Sequence, residues 1–153
     1  MENLKAFAEA MSPFGTLIVA AIVAYIAYRQ YRTEHGKLKL ELYDRRFDVF
    51  RAGMKFITLV VQNGNPDDEA LRDINNAKIM AFFLFPKEVS AYYETLYDKG
   101  LDLQTMKEEL RQGDELAPDE RTRMIHERAE IMKWFVNQFR ELRSKLRPYM
   151  AFD

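Results

Sequence analysis

The 153-residue sequence has no cysteine, and histidine occurs only at positions 35 and 126. Without cysteine there is no disulfide framework, and the chain fits a reducing compartment. Two histidines leave metal catalysis without ligands. His126-Glu127-Arg128-Ala129-Glu130 starts like a zincin motif but lacks the second histidine, and a zinc site needs three or four ligands. Glycine and proline are sparse, at six and five residues, which argues against many turns and for helices. No glycine-rich loop leads into a helix, so neither a P-loop nor a dinucleotide fingerprint is present. Serine occurs only at 12, 90 and 144, never in a nucleophile-elbow context. The carboxylate pairs Asp67-Asp68, Glu108-Glu109 and Asp114-Glu115 fall at helix ends or in loops, where solvated capping explains them. The chain is therefore expected to be no enzyme and to carry no cofactor and no metal.

What is present is an apolar run. Ala10 to Tyr28 contains nineteen residues and no charged side chain. A helix of that length rises roughly 29 Å, close to the hydrocarbon thickness of a bilayer. The start, Met1-Glu2-Asn3-Leu4-Lys5 with Glu9 following, is not basic, and Tyr25-Ile26-Ala27-Tyr28-Arg29 makes a poor cleavage site. Both features favour a retained anchor over a cleaved signal. Arg29, Arg32, Lys37 and Lys39 follow the run closely, and only Lys5 precedes it. The positive-inside bias puts the N-terminus outside and residues 29–153 in the cytoplasm, with Tyr25, Tyr28 and Tyr31 at the inner interface.

The net charge of −1 hides an asymmetry. Residues 29–55 hold eight Lys/Arg against four Asp/Glu, residues 67–120 six against fourteen, and residues 121–147 eight against three. Either oppositely charged helices pack beside one another, or the two basic segments share an anionic partner such as lipid headgroups or a nucleotide.

Helical periodicity runs through the remainder. Tyr43, Phe47, Phe50, Met54, Ile57 and Val61 step by four and three over a predicted helix 37–62. Leu38, Leu42, Val49, Phe56 and Val60 form a second stripe. A helix apolar on two sides is central in its bundle or buried between subunits. Gly36 is the expected break before it, although the helix can continue. Asn63-Gly64-Asn65-Pro66-Asp67-Asp68 predicts a turn, with Asn65 capping a helix over 66–83. Pro86 opens a further helix with Val89, Tyr92, Tyr93, Leu96 and Tyr97 inward, stopping at Lys99-Gly100. A short helix over 103–111 follows. The last, 119–147, turns Met132, Phe135, Phe139, Leu142 and Leu146 inward, with Tyr149 continuing the stepping. The expected fold is all-α: an N-terminal transmembrane helix with its juxtamembrane segment (1–35), then a cytoplasmic bundle of about five helices (36–153).

Two sets of residues are candidates for function. Glu9, Ser12, Thr16, Val19, Val23, Ala27 and Gln30 share a face of the first helix. In a ring of such helices they place a carboxylate at one mouth, hydroxyls, an apolar girdle and an amide at the other. Ala20, Ala24 and Ala27, with Gly15 and Ala21 nearby, favour close helix association. The alternative is an ordinary anchor whose Ser and Thr bond their own backbone. On the last helix, Arg128, Lys133, Asn137, Arg140, Arg143 and Arg147 form a basic face suited to phosphate oxygens, with Trp134 near enough to stack. The alternative there is a solvated or salt-bridged face. Arg128 lies on the apolar seam if the heptad is extended backwards, and a basic residue there is expected to need an acidic or phosphate partner. Asp44, Arg45, Arg46 and Asp48 are read as fixing helix register or subunit contacts.

Arg29-Gln30-Tyr31-Arg32, the stretch Lys37 to Phe47 (KLKLELYDRRF), Phe82-Phe83-Leu84-Phe85-Pro86 and Pro148-Tyr149-Met150 resemble a widespread group of small bacterial proteins. These join an N-terminal membrane anchor to a cytoplasmic helical domain. The layout is also similar to small membrane effectors of bacterial anti-phage defence, which couple a membrane helix to a domain sensing a nucleotide or oligonucleotide, some of them forming pores. The resemblance implies no site residues. The expected function is a homo-oligomeric inner-membrane sensor-effector whose helical domain binds an anionic nucleotide or oligonucleotide signal and controls a pore. The alternative is a passive anchored module that recruits a cytoplasmic protein partner to the lipid bilayer.

Overall fold

The computed structural model describes the backbone of residues 2–112 and 117–150, and the side chains of 17–31, 37–111 and 117–150. Every element among them is helical. Helix α1 spans Glu2–Asn63, α2 Asp68–Leu84, α3 Lys87–Gln112 and α4 Pro118–Leu146, and a 3-10 turn covers Arg147–Tyr149. The chain divides into two units between Glu41 and Leu42.

The N-terminal unit is a stretch of α1. The helix does not break at Gly36, because a lone glycine costs a helix only about 1 kcal/mol relative to alanine.

The second unit is an antiparallel four-helix bundle. The contacts fix its order. Arg46 near the start of this part of α1 reaches the carbonyls of Leu84 and Tyr149, and Lys55 pairs with Asp73 on α2 at 2.8 Å. Arg128 on α4 reaches Gly64, just past the far end of α1. Neighbouring helices thus alternate in direction. The bundle has four long helices and a 3-10 turn rather than about five helices, because the two helices predicted over 86–99 and 103–111 are one.

The reason is Gly100. It does not stop the helix; it admits a neighbour. A Cβ placed there would lie 2.5 Å from Cζ of Phe56, and the ring of Phe56 is buried. The backbone carries on, and Leu103 enters the core one turn later. Gly53 does the same on α1, where a Cβ would sit 2.7 Å from the Tyr93 hydroxyl oxygen and 3.0 Å from Cδ2 of Leu142.

The core lies between the four helices. On α1 the second apolar stripe dominates: Val49, Phe56 and Val60 are buried with Ile57, whereas Tyr43, Phe47, Phe50, Met54 and Val61 are half-buried. Leu38 and Leu42 are exposed. On α3 Val89, Tyr92, Tyr93 and Leu96 are buried, and on α4 Phe135, Leu142 and Leu146. Phe56 and Phe135 meet edge to face at 5.9 Å between centroids. Each large side chain so buried contributes about 1.5–3 kcal/mol.

The turn before α2 differs from its prediction by two residues. Asp67, not Asn65, is the cap: its carboxylate accepts the Ala70 N–H at 2.7 Å. A carboxylate suits the positive end of the helix better than an amide. Gly64 closes α1 with φ +69°, and its N–H bonds the Val60 carbonyl at 2.8 Å. That backbone region is one that glycine enters without strain.

Candidate functional site

Residues 17–31 of α1 expose apolar side chains in every direction. Leu17, Ile18, Val19, Ile22, Val23, Tyr25, Ile26 and Tyr28 are all between 49% and 66% exposed. Consecutive positions round a helix advance by about 100°, so this is no amphipathic stripe: the whole circumference lacks a cover. Among the described residues no helix is long and apolar enough to cross a membrane. Leu17 to Tyr28 is twelve residues, or about 18 Å of helix. The rest of the predicted span, 10–16, lies outside the described side chains. Of the predicted pore face, Val19, Val23, Ala27 and Gln30 are exposed and share one side of the helix. Glu9, Ser12 and Thr16 lie outside the described side chains.

The basic face of α4 separates into two parts. At its N-terminal end the residues have partners within the chain. Arg128 is half-buried, and its Nη2 donates to the Gly64 carbonyl at 2.7 Å. A guanidinium here meets an orphan carbonyl at the negative end of α1. The partner found is thus a backbone carbonyl at a helix end, where the sequence predicts an acidic or phosphate group. Lys133 donates to Glu130 at 2.6 Å. That bond, the lysine's charge and the nearby His126 hold the Glu130 carboxyl below its usual range. Asn137 bonds back to the Lys133 carbonyl at 3.3 Å. Towards the C-terminus, Arg140, Arg143 and Arg147 are exposed, and no ion pair engages them among the described residues. Trp134 is half-buried, its ring edge-on to Phe135 at 5.1 Å and faced by the Lys99 ammonium at 5.1 Å. One face of the indole thus already has a cation.

In the charged quartet, Arg46 ties the bundle together. Its Nε donates to the Leu84 carbonyl at 3.2 Å and its Nη1 to the Tyr149 carbonyl at 3.1 Å, and the guanidinium lies 5.6 Å from the Phe85 ring centroid. It joins the end of α2, the end of the chain's last turn and α1. The contact it fixes is internal to the bundle.

The sequence reading passed over Gln138. It is buried, accepts the Tyr92 hydroxyl at 2.9 Å and donates to the Trp134 carbonyl at 2.8 Å. A glutamine amid arginines gives no sequence signal of burial. Burial, with the Glu141 charge second, pushes the Tyr92 hydroxyl above its ordinary value, and burial with Tyr92 beside it does the same to Tyr93. Both are neutral hydrogen-bond donors in the core.

Among the described residues no group of three or more acidic or histidine side chains is placed to hold a metal ion. No family model, curated protein or solved structure matches the chain.

Proposed function

We propose that this chain is a membrane-anchored helical module. The apolar stretch of α1 sits in lipid, and the bundle of residues 42–153 is held at the cytoplasmic surface as an interaction domain. One observation carries the reading: residues 17–28 are apolar and exposed on all sides. Water is a poor solvent for such a surface, and isolated patches of that size are rare on soluble proteins. The twelve residues enter a bilayer without crossing it. With Ala10 to Thr16, uncharged in the sequence, the stretch reaches the length a crossing needs. The cations after Tyr28 support a cytoplasmic bundle.

The test is fractionation of cells expressing the full chain. The protein is expected in the membrane pellet, to resist alkaline carbonate and to be released by detergent. Ile22→Asp with Val23→Asp is expected to move it to the supernatant. Wild-type protein in the supernatant without detergent would overturn the reading.

A second reading is favoured by Arg140, Arg143 and Arg147, exposed and outside any ion pair among the described residues. In it the bundle senses a nucleotide or oligonucleotide through Arg140, Arg143 and Arg147, and copies of α1 form a pore with Val19, Val23 and Ala27 at its girdle, as in the defence effectors that share this layout. A ligand that prefers one arrangement of the bundle shifts the population of the open state. This reading predicts a phosphate-bearing molecule copurifying with the protein and lost in Arg140→Glu with Arg143→Glu. It also predicts vesicle leakage altered by Thr16→Trp or Val23→Asp.

A further inference from the structure

The bundle carries an apolar surface of its own on the face shared by α2 and α3. Phe82 and Phe83 close the last turn of α2 and are 69% and 76% exposed, with Ile79 one turn before them at 49%. The two rings meet edge to face at 5.2 Å, and they wall a groove of about 680 Å³ that Ser90 and Ala91 line from α3. Contiguous exposed apolar side chains mark contact surfaces, where single scattered ones do not. Charge on this face is balanced. Lys78, Lys87 and Glu94 line the groove and Glu88 stands exposed beside it, two cations to two anions. Lys78 lies over the Tyr97 ring at 4.4 Å, and further along the two helices Gln104 donates to the Asp68 carboxylate. These contacts fix the register of the antiparallel pair. Lys78 on one wall of the groove is level with Glu94 on the other, and no ion pair joins the two within the chain.

We propose that this face is the contact between two copies of the chain, related by a two-fold axis that runs along the bundle. Each copy then lays its α2 against α3 of the other. Lys78 meets Glu94 of the second copy, and by symmetry the pair forms twice. Phe82 and Phe83 enter the second copy's groove beside Ala91, whose small side chain lets the helices approach. Three features select a second copy. A cation and an anion on opposite walls at one level are self-complementary, which is what an isologous contact requires. Two lysines against two glutamates favour neither an acidic nor a basic partner, and no anionic surface, whereas a second copy satisfies both signs at once. Four rings exposed to this degree remove about 400–600 Å² from water, a large part of the roughly 1,000 Å² that a specific interface needs. The axis also starts residues 42–63 of both copies at the same end, which suits two chains held in one membrane. The dimer goes beyond the anchored reading and does not depend on it.

The test is photo-crosslinking of the full chain in the cells that express it. Phe83→p-benzoylphenylalanine keeps an aromatic ring at an exposed position, and the same substitution at Val136, an exposed site of α4, is the control. Illumination is expected to give a species of twice the chain's mass from position 83 and little from 136, with the crosslinked peptide falling within residues 78–94 of the second copy. Lys78→Glu and Glu94→Lys, each alone, are expected to reduce that species by about fivefold or more, because each sets like charges against one another. Coexpression of the two variants is expected to restore it, since each chain then carries the charge that the other has lost. That recovery also shows that both variants fold. The proposal is overturned by the absence of the doubled species, by crosslinked peptides outside the groove, by adducts to another protein or to lipid alone, or by charge variants that change nothing. It is overturned equally by variants that lose the species alone and do not regain it together. Each of these outcomes leaves anchoring to be judged separately, by whether the same protein is in the membrane pellet.

Discussion

The Tyr93 hydroxyl donates to the Val49 carbonyl at 2.8 Å across a gap that exists because residue 53 is glycine. The bond joins α3 to α1 in the middle of the core and requires the backbone of α1 to come within reach of a phenol.

Gly53→Ala is therefore expected to destabilise the fold by about 2 kcal/mol, since the added carbon meets a rigid, buried ring end. Tyr93→Phe alone is expected to cost about 1 kcal/mol for the lost hydrogen bond. The double variant should lose less than the sum, because removing the hydroxyl removes the closest of the added carbon's contacts. Urea titration of the four proteins of this cycle checks the coupling.

Gly100 separates two explanations of one residue. If it were a helix stop in the left-handed region, like Gly64, alanine there would cost about 1 kcal/mol through backbone strain. If it only diluted helix propensity, alanine would gain about 1 kcal/mol. With Phe56 Cζ 2.5 Å from the added carbon, a loss of about 2 kcal/mol or more is expected instead. A melting temperature at or above wild type would contradict the packing described.

Arg128 and Arg140 lie on the same helix, twelve residues apart. Arg128→Ala is expected to cost about 1.5 kcal/mol through the uncapped Gly64 carbonyl. Arg140→Ala is expected to stay within about 0.5 kcal/mol of wild type, as an exposed substitution does. Thermal melts of both variants decide whether Arg128 serves stability.

Much of the bundle was legible because its faces repeat. Val89, Tyr92, Tyr93 and Leu96 are inward on α3 as their spacing predicts, and so are Phe135, Leu142 and Leu146 on α4. Gly64 falls in a turn as its context predicts, but Gly100 ends no helix and Gly53 gives no signal, for one physical reason. Sequence shows what a glycine permits, a stop, a turn or a close approach, but not which of these its surroundings use. Gly64 ends a helix, whereas Gly53 and Gly100 make room for Tyr93 and Phe56. Arg128 and Arg46 were visible only as charges near apolar seams. Their partners are backbone carbonyls far along the chain, which carry no residue type to read. The exposed Phe82 and Phe83 read as an apolar cluster, and which of its members point outward depends on the tilt of α2.

Alkaline pH should loosen the bundle. Tyr92 and Tyr93 have folded-state values raised above the ordinary 10, mainly by burial. Above that pH the unfolded chain loses phenolic protons that the folded chain keeps, so stability is intact below about pH 10 and falls as pH rises. Each tyrosine contributes a slope of up to about 1.4 kcal/mol per pH unit. The raised value of Lys55, set chiefly by its bond to Asp73, acts in the same direction. Phenolate absorbance followed together with denaturation should show these two groups ionising only as the protein unfolds. Early ionisation of all eight tyrosines would contradict the burial.

The placement of α1 in lipid is tested most directly by single-cysteine labelling of the full chain in native membranes. Val23→Cys and Ser144→Cys are each treated with a water-soluble maleimide after the membranes are opened. Ser144→Cys is expected to label at once, and Val23→Cys only after detergent or denaturant is added. Equal labelling at both positions in intact lipid would contradict the account.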